Sequence, residues 1–142
     1  RQAQARELVK QMEKIPVEDF IVLGGDFNLV SRKDPVLEIL SAQVFENAAP
    51  KNSFASTTTN MTGKKNFDWI LNDADLAQYQ VPVKFSFHGE ALTEGENQYS
   101  DGLVFDSSTF PCLERLPPIE FGDSRAPGMQ HLAVVKDYLI QK

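Results

Sequence analysis

Phe20-Ile21-Val22-Leu23-Gly24-Gly25-Asp26-Phe27-Asn28 is the stretch on which the reading of this chain turns. A short run of branched and aromatic apolar residues predicts a buried strand, and it ends in two glycines followed by an acid and an amide two positions apart. Paired glycines let the backbone turn without a Cβ penalty. Residues i and i+2 of an extended segment point to the same side, so Asp26 and Asn28 are expected to face one cavity while Phe27 packs the other way. A carboxylate there can take a proton or bind a hard cation, and an amide can orient water or a phosphoryl oxygen. The competing reading is an Asx-type turn in which the same two side chains satisfy backbone groups.

Upstream, residues 1–14 place Ala5, Leu8, Val9 and Met12 at helical spacing between charges, which predicts an amphipathic helix ended near Pro16. Downstream, Asp34-Pro35 has the form of a helix start, an N-cap acid followed by proline at the first helical position, with Val36, Ile39 and Leu40 as the buried stripe. Helix, strand, loop and helix in this order predict a layered α/β arrangement.

Residues 48–65 are polar, with room for one short strand, and contain the sequon Asn60-Met61-Thr62, a pattern frequent by chance. Residues 66–72 read as a second strand in which Phe67, Trp69 and Leu71 share a face and Asp68 lies opposite with Ile70. An acid inside an apolar strand costs free energy unless it is paired, metal-bound or solvated, so Asp68 is a candidate site residue or part of a solvated face. Val81, Val83, Phe85 and Phe87 alternate with Pro82, Lys84 and Ser86, predicting a strand with Pro82 near an edge. His88, at its end, reads as a surface or satisfied residue. An acidic mobile loop is expected over residues 90–100, a short strand over 102–106, and an irregular proline-rich segment over 111–127. The chain closes on a mostly apolar strand over 129–140 that carries His131 near its start, where an imidazole can stabilise charge on a phosphate.

With 142 residues, 42% hydrophobic and 24% charged, the chain fits one globular domain. A net charge of −6 disfavours charge-driven binding to nucleic acid or an anionic membrane, although a divalent cation can supply positive charge locally. The single cysteine, Cys112, excludes an internal disulfide framework, and no run has transmembrane length.

Taken together, Gly24-Gly25-Asp26-Phe27-Asn28, Phe67-Asp68-Trp69-Ile70-Leu71 and His131-Leu132-Ala133-Val134-Val135 resemble, in order and rough spacing, the last three signature blocks of the endonuclease/exonuclease/phosphatase superfamily. That superfamily includes DNase I-like nucleases, inositol phosphatases and neutral sphingomyelinases. The resemblance implies the C-terminal half of a DNase I-like domain over residues 1–142, that is, half of a four-layer α/β/β/α sandwich. It implies hydrolysis of a phosphodiester or phosphomonoester by activated water with a divalent cation, usually magnesium, with manganese or calcium as substitutes. By similarity Asp26 activates or orients the water and Asn28 positions the scissile phosphate, both beside the metal. Asp68 assists the metal or the histidine, and His131 contacts a non-bridging phosphate oxygen. The substrate is left open among nucleic acid, phospholipid and small phosphoesters.

Two departures follow. The residue before His131 is Gln130, where the superfamily has an aspartate that fixes the imidazole tautomer, and Asp123 is the expected substitute. The metal-binding glutamate of the first half has no counterpart in this chain. The 142 residues alone are therefore expected to be inactive, with an exposed sheet face that binds the missing N-terminal half or self-associates. The alternative is a non-catalytic binding module derived from that fold.

Overall fold

A computed structural model describes residues 1–29, 31–87, 90–91 and 99–141. His88 and most of the acidic loop expected over 90–100 lie outside the described residues. The chain is a mixed α/β protein whose helices accompany small antiparallel sheets. Helix α1 spans Gln2–Met12, and its buried face is Ala5 and Met12, with Val9 packed partly against the core. Leu8, expected in the same stripe, is 41% exposed. Helix α2 spans Pro35–Leu40 and starts as its sequence specifies: the Asp34 carboxylate accepts from the Val36 amide at 2.9 Å, with proline at the first position.

Strand β1 covers Val22–Asp26 and pairs antiparallel with β2, Asp68–Asn72. The glycines belong to the ladder rather than ending it: Gly24 pairs with Ile70, Gly25 with Trp69 and Asp26 with Asp68. Gly25 has φ +151°, a backbone that L side chains rarely adopt, which explains glycine there. The expectation of a buried strand is corrected. Val22 is 53% exposed and most of β1 faces out, because only one side of it is paired among the described residues and one face is uncovered. Ile21 and Leu23 pack inward instead. On β2 the alternation holds, with Trp69 and Leu71 buried and Asp68 and Ile70 half-buried on the other side. Together α1, α2, β1 and β2 enclose the first core, which is built on Leu29, Leu40, Val44, Trp69 and Leu71.

After β2, Asp73 caps the single-turn helix α3, Ala74–Ala77, accepting from the Leu76 amide at 2.6 Å and, through its other oxygen, from the Ile21 amide at 2.5 Å. The strand expected over 81–87 is not continuous. Strand β3 is Gln80–Val81, β4 is Ser86–Phe87 paired with β5, Glu90–Ala91, and between them Pro82 supplies no N–H to a ladder. Strand β6, Leu103–Phe105, pairs with β7, Ala133–Val135, and after Lys136 the chain changes partner so that β8, Asp137–Tyr138, pairs with β3. The final strand is thus two short ones. At Gly102 (φ +101°) an added Cβ would lie 2.8 Å from the Val135 carbonyl oxygen, so only glycine fits the approach to β7. The proline-rich segment is irregular apart from short 3-10 turns at Leu113–Arg115 and Asp123–Arg125.

A second core gathers Val83, Tyr99, Leu103, Phe110 and Leu113, with Phe85 and Phe105 against them. Phe110 is its hub, 5.3 Å edge-on to Phe85 and 5.0 Å from Phe105. Strand β7 also contacts β2, which brings the two cores side by side. Among the described residues no helix is long and apolar enough to cross a membrane.

Candidate functional site

Three of the residues singled out in the sequence meet where the two cores adjoin. The β1–β2 register sets Asp26 directly across from Asp68. Two carboxylates facing each other across a ladder repel, so the pair needs positive charge nearby. His131 reaches both carboxylates from the segment leading into β7 and supplies that charge when its ring is protonated. Its Nδ1 lies 3.1 and 3.0 Å from the two Asp68 oxygens, and its Nε2 lies 3.8 Å from Asp26 Oδ2.

The proton positions follow from what each group can do. A carboxylate accepts, so the imidazole donates its Nδ1–H to Asp68 and turns Nε2 toward Asp26. The hydrogen bond to Asp68 raises the His131 pKa above its ordinary value; partial burial opposes this, and the charges of Asp68 and Asp26 add to it. Phe67 flanks the ring, its centroid 6.0 Å from that of the imidazole.

Asn28 lies past the end of β1 with φ 52°, in the left-handed region that asparagine tolerates better than most residues. Its backbone N–H donates to Asp26 Oδ1 at 2.8 Å and its Nδ2 donates to Asp26 Oδ2 at 3.0 Å. The Asx turn weighed against a functional reading is therefore present, and it is what holds the Asp26 carboxylate in place. Phe27 turns away and packs against the first core, as the alternation predicted.

Asp123 does not serve His131. Its Oδ2 accepts from the Glu120 backbone N–H at 2.8 Å within its own turn, and the place on Nδ1 is taken by Asp68. The physical reason is register: β2 delivers Asp68 to His131, so a distant loop acid is not needed.

One ligand atom each from Asp26, Asp68 and His131 lies within 4.8 Å of the others, so the cluster could hold a metal ion. The donor chemistry fits a divalent cation, since two carboxylate oxygens are hard ligands, an imidazole nitrogen is compatible with several such ions, and exposed Asp26 leaves room for bound water. Asn28, expected beside the metal, uses its amide N–H groups to orient Asp26, which leaves its Oδ1 as the acceptor facing other partners.

Asp26 also borders an apolar cavity of about 490 Å³ between α1, α2 and the end of β1. Its wall includes Ala5, Leu8, Phe27 and Leu29, and Arg1 at its edge donates to the Asn28 carbonyl at 2.8 Å.

The sequence reading missed Thr59. It is buried within an otherwise ordinary polar run, and nothing local in Ser56-Thr57-Thr58-Thr59 distinguishes the fourth hydroxyl from the other three. The sequon is also clarified: Asn60 is buried, its Nδ2 donating to Thr62 Oγ1 at 2.5 Å and its Oδ1 accepting from the amides of Lys64 and Lys65.

Comparison with models of known protein families, with curated proteins and with solved structures finds no match to this chain.

Proposed function

We propose that this chain carries the active-site half of a metal-dependent phosphoesterase of the endonuclease/exonuclease/phosphatase type, folded as half of the α/β/β/α sandwich of that superfamily. One observation carries the reading: Asp68, His131 and Asp26 are gathered in one cluster, with the Asp68 carboxylate on Nδ1 and the Asp26 carboxylate 3.8 Å from Nε2. This is the arrangement by which a carboxylate fixes a tautomer and leaves the other ring nitrogen for chemistry.

In this reading Asp26 accepts a proton from the attacking water, and Asn28 holds the carboxylate that does so. His131, kept in register by Asp68, donates from Nε2–H to a non-bridging phosphoryl oxygen when the ring is protonated, a state that its raised pKa favours. The water oxygen bonds to phosphorus, the bond to the leaving oxygen breaks, and the alkoxide takes a proton from solvent. Asp26 and Asp68 would hold a divalent cation such as magnesium, which would supply Lewis-acid charge to the phosphoryl group. The apolar cavity beside Asp26 favours a substrate whose alcohol portion is apolar, which puts a phospholipid ahead of nucleic acid. The outward face of β1 is where a preceding half of the domain, with its glutamate, or a second copy would pack.

The test is magnesium-dependent hydrolysis of bis(p-nitrophenyl) phosphate by this chain joined to the preceding half of the domain, and by the same protein with Asp26→Ala. The expected loss in kcat is on the order of 10²–10⁴-fold, as for removal of a general base. A second reading, a binding module without catalysis, is favoured by Gln130 standing where the superfamily has an aspartate. Folded protein that binds a phosphoester but hydrolyses none, with or without Asp26, would establish it.

A further inference from the structure

We propose that Thr59 is a positioning residue that holds Asp68 against His131. It bonds to both segments of the pair at once. Its Oγ1 accepts from the adjacent backbone N–H groups of Phe67, at 2.8 Å, and Asp68, at 2.9 Å, where β2 begins. Its carbonyl accepts from the N–H of Leu132, the residue after His131, at 2.7 Å. On either side of that bond the strap continues, with Asn60 bridged to His131 and the Met61 N–H donating to the Gln130 carbonyl at 3.1 Å.

Neighbouring hydroxyls do other things. Ser56 and Thr58 bond to each other at 2.8 Å, and Thr57 accepts from Arg32 at 3.2 Å. Only Thr59 of this run is buried, at 3% exposure, and a buried hydroxyl oxygen that satisfies two peptide N–H groups fixes the peptide between them. That peptide carries the Asp68 Cα. Loss of Oγ1 therefore leaves two donors without an acceptor, the Phe67–Asp68 peptide keeps its carbonyl bond from the Phe27 N–H at 2.8 Å but can tilt about it, and the Asp68 carboxylate loses its fixed distance to Nδ1. A valine keeps the shape and removes the acceptor; a serine keeps the acceptor and removes the methyl group.

For catalysis this inference rests on the phosphoesterase reading, but for ring geometry it does not. The experiment therefore reads the ring directly. The chain has two histidines, so a His88→Gln background leaves His131 as the single imidazole for long-range ¹H–¹⁵N correlation at a pH where the ring is neutral. The parent should show the Nδ1–H form. Thr59→Val should shift the ring toward the Nε2–H form that unconstrained imidazole favours and weaken manganese binding by about 10–100-fold, and Thr59→Ser should restore both.

A folded Thr59→Val with the parent's ring signature overturns the proposal. So does a serine variant as impaired as the valine, since the methyl would then be responsible. If Thr59→Val does not fold, amide exchange in the parent decides, and Phe67 and Asp68 amides that exchange as freely as unbonded loop amides overturn it. Absence of hydrolysis when the preceding half of the domain is supplied, with the ring signature and its Thr59 dependence intact, would remove the phosphoesterase reading and leave this one standing.

Discussion

The two cores of this protein are built by different means. The first, around Trp69, Leu29 and Leu40, is enclosed by an eleven-residue helix, a capped second helix and a five-residue strand pair in continuous register. The second, around Phe110, is held by strands of two or three residues, by aromatic contacts, and by side chains that bond to loop backbone. Ser107 and Ser124 show the difference most plainly, each hydroxyl accepting from the other residue's amide at 3.0 and 2.9 Å. Periodic burial supports the first region, and individually satisfied polar groups support the second. The candidate site takes Asp26 and Asp68 from the first and His131 from the edge of the second, so its geometry requires both.

That dependence can be broken from the first side by Trp69→Ala. The ring is 2% exposed, carries Arg32 on its face at 5.1 Å and donates from Nε1 to the Asn66 carbonyl at 3.0 Å. A loss of about 3–5 kcal/mol in chemical denaturation is expected. Faster amide exchange should appear in β6 and β7 as well. Exchange confined to the first region would mean that the cores unfold separately.

From the second side, Arg125→Met removes the partner of buried Asp106, 2.6 Å away, whose side chain is 1% exposed while that of Arg125 is 48% exposed. The buried acceptor left behind should cost about 1.5–3 kcal/mol in the same measurement, reduced from the fully buried case because the arginine is half in water. A cost near zero would mean that the second region tolerates what its polar bonding says it should not.

A smaller effect is expected where local sequence chemistry acts alone. Asp34→Ala removes the cap of α2 and should lower stability by about 1 kcal/mol, with Asp34→Asn keeping most of it. Equal losses in both variants would show that the acid's charge matters more than its hydrogen bond.

An effect of another kind is one of pH. Burial lowers the pKa of Lys136, at the break between β7 and β8, to about 8, against the opposing pull of Glu46 and Asp101. Between about 8 and the ordinary lysine value of 10.5 the unfolded chain binds the extra proton. Stability should therefore rise with pH across that window, and the charged amine costs most below it. Comparing denaturation midpoints at pH 7.5 and 9.5, Lys136→Met should show less of this rise than the parent.

The same contrast explains what the sequence revealed. Helix α1, the Asp34-Pro35 start and the faces of β2 follow from spacing within ten residues, and each is found as expected apart from exposed Leu8. The apolar run before Gly24 predicted a strand correctly and its burial incorrectly, because burial depends on what covers the outer face and no local pattern encodes that. In the second region, residues 81–87 and 129–140 had strand-like periodicity, yet Pro82 and the change of partner after Lys136 divided both. Asp26, Asp68 and His131 stood out because polar groups at strand ends and mid-strand are costly without a partner. Their pairing did not, since the contact between Asp68 and His131 spans 63 positions and no spacing rule reaches so far. Asp68, which the resemblance assigns to the metal or the histidine, and Asp123, expected in place of the aspartate that Gln130 replaces, were both partners in prospect for His131, and cross-strand register gives Nδ1 to Asp68.

Buried Asn60 has a consequence in time rather than in space. Its Nδ2 is engaged with Thr62 and its Oδ1 closes the turn beneath the site, so the native fold and a glycan on this asparagine exclude each other. Should this chain pass through a compartment that glycosylates sequons, the modification could happen only before residues 59–65 closed. A modified molecule would then be one that folded too slowly, and the strap beneath His131 would never have formed in it.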